Sequence, residues 1–481
     1  MRFIRRSLCA AVLSMLTTTA AGAQTTQKPA GILLPPDAEV REMLAERVDG
    51  LAGKQDGIGI VVGMIGPQGR RVVSHGHPSQ GDPRPLDGDT VFEIGSVGKV
   101  FTALLLADAV RKGEVAFTDP VAGYLPAGVK IPQRNGRAVT LLDLVTHTSG
   151  LPFMPDAVPV YNDPAAAKYG AAQLYQFLAR YQLTRDPGAD WDYSNLGYWL
   201  LGQALESRLG MGYESLLQAR VFGSLKLKST AVSLSPKLKA KLAVGHDALL
   251  QPAPLGPSLS VYAAMPEAGV GTVSSVNDLL TFLSVAMGYE TSPMASSMAL
   301  MLSERRPIGG GSEQAVGWVV LGKGDDQLVM HDGATWGYNS YVAWDPKRRV
   351  GVVVLSNQLA NIGDIAQHLL RPGVPLERPT VTRHTEIALD AAALDACAGY
   401  YEAEDEGTFT IVRERNFLTL QTPIGWGLPK FRLRPESRTE FFVSELPIRV
   451  TFQMDSGGRV SGVLVYPPRG QRGIPAKRTA R

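Results

Sequence analysis

Ser96-Val97-Gly98-Lys99 lies between two unlike segments. Thr90-Val91-Phe92-Glu93-Ile94-Gly95 before it reads as the end of a loop, and Val100-Phe101-Thr102-Ala103-Leu104-Leu105-Leu106-Ala107-Asp108-Ala109-Val110 after it reads as a buried helix. Ser96 and Lys99 are three apart, a spacing that puts two side chains on one helix face within contact range. Ser96 then falls in the first turn, where backbone N–H groups without partners and the positive end of the dipole favour a developing anion. A hydroxyl, an amine and a helix N-terminus in one place are the equipment of acyl transfer. An isolated S-x-x-K is better explained by an N-cap serine and a surface lysine. Two facts weigh against that here: the pattern occurs once in 481 residues, and further motifs follow it.

Outward from this stretch, the chain is too long for one core, so two or three domains are expected. A hydrophobic content of 44% with 19% charged residues fits a globular protein. Residues 1–23 are set apart as a secretory signal peptide: Arg2, Arg5 and Arg6 form a basic region, Leu8 to Thr17 is apolar, and Ala21-Gly22-Ala23 offers a cleavage site. The pair Arg5-Arg6 leaves both general and twin-arginine export open. Cleavage removes three arginines and no acidic residue, leaving 45 of each sign from the 48 basic and 45 acidic residues. That balance excludes an electrostatic case for a nucleic-acid partner. Cys397 becomes the only cysteine after cleavage, so no intrachain disulfide is expected. No later apolar run reaches the ~18 residues of a spanning helix. The expected destination is the periplasm or the medium.

A leader covers 24–37. From Ala38 to Leu51 the periodicity is helical, with Pro35-Pro36-Asp37 as its start signal. Ile58 to Ile65 and Arg71 to Ser74 read as strands joined by Gly66-Pro67-Gln68-Gly69. Helical patterns follow at Val139 to Val145, Asp163 to Arg180 (capped by Asp163), Leu196 to Leu209, Tyr213 to Val221 and Leu279 to Met287. Strand character returns at Val316 to Leu321, Gln327 to Met330, Asn339 to Trp344 and Val350 to Leu355. Strands at both ends with helices between them describe an α/β domain, 38–370, with an antiparallel sheet flanked by helices and an inserted helical subdomain. Pro-rich residues 371–385 form a linker. Beyond it, 386–481 holds short alternating segments at Thr408 to Val412, Phe417 to Gln421, Phe431 to Leu433, Phe441 to Val443, Ile448 to Met454 and Val460 to Val465. They predict a small all-β barrel or sandwich without a catalytic cluster of its own.

Two more stretches carry chemistry. Tyr193-Ser194-Asn195 precedes the helix at Leu196; alternation in an extended loop points Tyr193 and Asn195 the same way, and a phenol beside a cation can shuttle a proton. His331-Asp332-Gly333-Ala334-Thr335 follows the strand ending at Met330. On a strand, His331 and Gly333 share a face and Asp332 takes the other, which makes Asp332 a poor orienter of His331. Gly333 permits close backbone approach, and the N–H of Ala334 can then help bind an oxyanion.

Taken in order, Ser96-x-x-Lys99, Tyr193-x-Asn195 and His331-x-Gly333 resemble the serine hydrolases of the class C β-lactamase and penicillin-binding-protein superfamily. The resemblance covers about 38–370 and includes Phe92-Glu93-Ile94-Gly95-Ser96, residues 144–151 and 351–357. The β segment is similar to the lipocalin-like tails of such hydrolases. The resemblance implies Ser96 as nucleophile, Lys99 and Tyr193 sharing the base and proton-relay work, the N–H groups of Ser96 and Ala334 as the oxyanion site, and Asn195 on the substrate amide, with Gly333 and Thr335 at its edge. His331 stands where the family motif has lysine, and Asp332 where it has threonine; the histidine version resembles peptidase and esterase members. The implied activity is acyl-enzyme hydrolysis of D-alanyl-D-alanine peptides or β-lactams. A carboxylic-ester hydrolase or a non-turnover sensor is the alternative. No cofactor is implied. His147, in Thr146-His147-Thr148-Ser149-Gly150, is assigned to a structural turn near the cleft. The other histidines lack partners at metal-ligand spacing, so no metal is expected.

Overall fold

The computed structural model of the chain describes residues 34–52, 57–155, 170–247, 249–253, 266–378, 384–404, 406–423, 430–444, 446, 448–467 and 473–479. The expected signal peptide, nearly all of the leader and 163–169 of an expected helix lie outside them.

The first ten strands are β1 (Gly59–Gly66), β2 (Gly69–Gly76), β3 (Val91–Glu93), β4 (Val273–Ser275), β5 (Arg305–Gly309), β6 (Ser312–Ala315), β7 (Val319–Leu321), β8 (Leu328–Ala334), β9 (Asn339–Asp345) and β10 (Val350–Ser356). Eight of them form a sheet in the order β2-β1-β10-β9-β8-β7-β6-β5, antiparallel throughout, while β3 pairs with β4. The early strand β1 is thus held between its hairpin partner β2 and the late strand β10. All eight residues of β1 are buried, as a strand covered on both faces requires.

Helices make those covers. They are α1 (Asp37–Ala52), α2 (Gly98–Arg111), α3 (Leu141–Val145), α4 (Ala171–Arg180), α5 (Asn195–Leu209), α6 (Tyr213–Leu216), α7 (Pro236–Lys239), α8 (Val276–Ala286), α9 (Ala295–Leu300) and α10 (Gly363–Leu370). The period-2 alternation of β1 sorts its side chains between two cores. Ile60, Val62 and Met64 pack with Val40 and Leu44 of α1 and Ile365 and Leu369 of α10. Val61 and Ile65 join the larger core, with Leu104 of α2, Leu200 of α5 and Leu283 of α8. A buried ion pair between Arg47 and Asp364 ties α1 to α10.

Several boundaries differ from the sequence reading. Thr90 to Gly95 is not simply a loop, because Val91–Glu93 pairs with β4. The helix expected over Leu279 to Met287 begins at Val276, and the Ser275 hydroxyl caps it by accepting from the Asp278 N–H. The helix read from Asp163 has its N-cap at Gly170. Past Leu216 the helix widens into a π-helical turn over Leu217–Phe222. Strand character expected from Val316 starts at Val319, and β5 and β6 precede it. These two strands are rich in Arg, Gly, Ser and Gln, so they carry no hydrophobic alternation.

After α11 (Ala391–Cys397), eight strands close a barrel: β11 (Gly399–Ala403), β12 (Gly407–Glu414), β13 (Phe417–Gln421), β14 (Phe431–Pro435), β15 (Glu440–Phe442), β16 (Arg449–Met454), β17 (Val460–Tyr466) and β18 (Ile474–Thr479). Closure through β11 and β18, two strands the sequence reading lacked, selects a barrel over a sandwich. Its interior is filled by side chains such as Phe409, Phe441, Phe452 and Tyr401. Eight strands leave about that much room and no channel.

The barrel touches the α/β domain at a specific place. Trp336, in the turn joining β8 to β9, packs on the barrel core with its ring edge-on to Phe431, centroids 5.9 Å apart. Trp336→Ala removes that partly buried indole and should lower unfolding free energy by about 1–3 kcal/mol. Denaturant unfolding followed by barrel tyrosine fluorescence reads it; an unchanged midpoint would show that the contact does not couple the two parts.

Candidate functional site

Ser96 is brought to its place by backbone rather than by helix propensity. It does not lie within the α-helix, as its spacing suggested, but in a tight 3-10 turn, Gly95–Val97, that runs into α2 at Gly98. Two close approaches fix this turn against β8. Gly95 has φ of +49°, and a Cβ there would lie 2.7 Å from the N and O of Ala334. A Cβ on Gly333 would lie 2.8 Å from the Ser96 N. Ser340 on β9 donates its hydroxyl proton to Ile94 O at 2.7 Å. The backbones of 95–96 and 333–334 are therefore seated on one another. The amides of Ser96 and Ala334 are neighbours, and the Ala334 end of the strand is exposed.

Lys99 is the next residue inward. Its side chain is fully buried, and Nζ lies 3.3 Å from Ser96 Oγ. α2 is apolar on nearly every face and buried along its length, so an amine in its first turn is carried inside with it. Burial holds the Lys99 pKa well below its usual value near 10.5, because an ammonium loses its hydration there. The amine therefore favours its neutral form, which has a lone pair for the serine proton. Nζ also stands over two phenol rings, 5.2 Å from the Tyr193 centroid and 5.6 Å from that of Tyr198.

Tyr193 belongs to an extended stretch pinned to the turn that holds His147. Asp192 N–H donates to His147 O at 2.8 Å and Ser194 N–H to His147 Nδ1 at 3.1 Å. Ser194 caps α5, its hydroxyl accepting from Gly197 N–H while donating to Pro152 O. Asn195 is the first residue of that helix and is buried. This corrects the expectation that Tyr193 and Asn195 share an extended loop.

His331 faces the site side of the sheet, and Asp332 the opposite side. The register places Asp332 across from Tyr341, whose ring packs in the α1/α10 core, and His331 across from Val342 of the other core. His331 Nδ1 donates to Asp332 O at 2.7 Å. A carbonyl only accepts, so the proton sits on Nδ1 and Nε2 of the neutral ring carries the lone pair. Burial pushes the His331 pKa down to about 4, with Lys99 adding to the effect against the Asp332 carboxylate and carbonyl. The ring is neutral near pH 7. A lysine's fixed charge is thus absent from this strand.

Two further residues line the site: Glu93, to which the sequence reading gave no role, and His147, which it assigned to a structural turn near the cleft. Glu93 is buried on β3 beside Thr335, and burial raises its carboxyl to about 7. His147 is buried against Tyr193. Only the motif context of each could have flagged them. Among the described residues, no group of three or more His, Cys, Asp or Glu is placed to hold a metal ion, and no helix is long and apolar enough to cross a membrane.

Residues 40–370 match the family model Beta-lactamase. The chain is 26% identical over 355 residues to a beta-lactamase of Pseudomonas fluorescens, an alignment spanning 66% of this chain and 94% of that one. It is 26% identical over 296 residues to the D-alanyl-D-alanine-carboxypeptidase/endopeptidase AmpH of Escherichia coli (strain K12), spanning 58% and 74%. Among solved structures, a class C beta lactamase from Rhodobacter sphaeroides superposes with a TM-score of 0.56 at 27% identity, over 68% of this chain and 95% of the other.

Gly95→Ala tests the seating of the serine turn. The left-handed φ and the missing space both oppose a side chain. Labelling of the protein by a serine-directed fluorophosphonate should slow on the order of 10²-fold. An unchanged rate would mean that the approach to Ala334 is dispensable.

Proposed function

The chain belongs to the beta-lactamase family of serine hydrolases, and from that premise we propose that it hydrolyses D-alanyl-D-alanine peptides or β-lactams through an acyl-enzyme on Ser96. The observation that carries this reading is the fully buried Lys99 amine 3.3 Å from Ser96 Oγ. Neutral Lys99 takes the hydroxyl proton as Oγ attacks the substrate carbonyl. The Oγ–C bond forms and the carbonyl oxygen becomes an oxyanion between the N–H groups of Ser96 and Ala334. Collapse expels the leaving amine, which takes its proton from Lys99 by way of Tyr193. Water then attacks the ester, giving up a proton along the same route, and the acid leaves with Ser96 restored. Asn195 contacts the substrate amide, and Gly333 and Thr335 line its edge. An electrophilic carbonyl and an anchored serine suffice, so no cofactor enters.

His331 shapes the choice of substrate. A neutral imidazole cannot attract a carboxylate by charge, which supports a second reading in which uncharged carboxylic esters are turned over as well. The intact pairing of Ser96 with Lys99 opposes a non-turnover sensor. The domain plan goes with this reading: an export signal at 1–23, the hydrolase at 38–370 and an accessory barrel at 386–481, acting in the periplasm or outside the cell. A general or a twin-arginine route would serve.

Ser96→Ala should abolish covalent labelling by a penicillin or a fluorophosphonate; a retained adduct on the same peptide would sink the assignment. His331→Lys should raise turnover of nitrocefin relative to p-nitrophenyl acetate by roughly tenfold, the effect of one restored short-range charge. An unaltered ratio would remove residue 331 from carboxylate recognition.

A further inference from the structure

The turn Thr146-His147-Thr148-Ser149-Gly150 contains an outlier that the reaction above does not use. His147 has φ of +57°, a left-handed conformation uncommon for residues other than glycine and often retained at functional sites. Its side chain is 1% exposed. Both of its acceptors face one partner segment. The carbonyl takes the Asp192 N–H at 2.8 Å and ring Nδ1 takes the Ser194 N–H at 3.1 Å, so the two bonds bracket Tyr193. The imidazole also lies along the Tyr193 ring, centroids 4.3 Å apart and planes 30° apart, and along Tyr198 at 5.0 Å and 33°. Tyr198 is itself anchored, its hydroxyl donating to Val145 O at 2.9 Å.

We propose that His147 is a positioning residue for Tyr193, holding the phenol against Lys99 through a two-point backbone clamp and a ring stack that work only with a neutral, Nε2-protonated imidazole. The proposal rests on the reading that Tyr193 serves proton transfer at Ser96. The tautomer follows from the bond: a backbone N–H donates to Nδ1, so Nδ1 has no proton and Nε2 carries it. An imidazolium would put a second N–H against that of Ser194 and open the clamp. The surroundings oppose that charge. Tyr193, Tyr198 and Trp191 pack around the ring, and Lys99 and His331 are the titratable groups whose positive forms face it. Burial holds the His147 pKa well below 6.5, and positive charge on Lys99 or His331 lowers it further. Nε2 is buried and has no hydrogen-bond partner among the described residues; the clamp does not need it.

Two substitutions separate the parts of the clamp. His147→Asn keeps an acceptor near Nδ1 and tolerates the left-handed backbone, whereas His147→Phe keeps a ring and loses the acceptor. The rate of Ser96 modification by a fluorophosphonate, read by intact mass across pH 5–9, should fall on the order of 10²-fold in His147→Phe through its maximal rate rather than its half-saturation. His147→Asn should recover most of it. Wild-type rates and pH profile in His147→Phe, or no advantage of Asn over Phe, would overturn the proposal. Should either variant fail to fold, nitrogen-15 spectra of the wild-type protein decide. The expected result is an unprotonated His147 Nδ1 that does not titrate between pH 8 and 5.5; a proton on Nδ1, or titration near 6.5, would overturn it. Failure of the Ser96 reading itself would look different: no serine-dependent adduct in the wild type.

Discussion

A lysine buried against a serine hydroxyl is the constraint on which the rest of the site depends. An ammonium at Lys99 would lie in an apolar helix, and the cost of stripping its water favours the free amine. That effect leaves a lone pair on the amine without a carboxylate partner, as the proposed reaction requires, provided that Ser96 is held beside it. The protein meets the proviso with backbone. The turn at Gly95–Val97 is wedged against Gly333 and Ala334 and tied by Ser340 to Ile94. The strand pair β3 and β4, the Ala334 end of the interior strand β8 and the helix α2 all converge on this turn.

Much of this was legible in the sequence for physical reasons that can be named. The sheet could be read because β1 and β10 are covered on both faces and spell nearly continuous apolar runs, and β9 does so over Tyr341 to Trp344. The helix after Ser96 could be read for the same reason. β5 and β6 were invisible, since Arg305, Arg306, Gly309, Ser312 and Gln314 carry no alternation. β3 was lost to its length of three residues. In the barrel, β11 and β18 lack the regular hydrophobic pattern of their neighbours, and β18 begins Ile474-Pro475. Within the site, the spacing of Ser96 and Lys99 foretold their contact, although a 3-10 turn rather than an α-helical one delivers it. His147 illustrates what spacing cannot reach. Its turn was readable; its grip on residues 192 and 194, more than 40 positions away, was not.

Neutrality is a common thread among the buried groups. Lys99, His147 and His331 are all pushed toward their uncharged forms, in each case chiefly by burial. Glu93 is raised toward its neutral acid by the same cause. A pocket arranged in this way does little to attract an anion by fixed charge. The barrel's contact at Trp336 falls two residues beyond Ala334, so the barrel leans on the turn that follows the exposed end of β8.

The most direct test is the ionisation of Lys99 itself. In protein carrying carbon-13 at the lysine ε position, the Lys99 signal, identified by its loss in Lys99→Arg, can be followed through a pH titration. Burial should make it titrate well below the ordinary lysine value near 10.5, apart from every surface lysine. A Lys99 signal titrating with the surface lysines, at about 10.4, would contradict it.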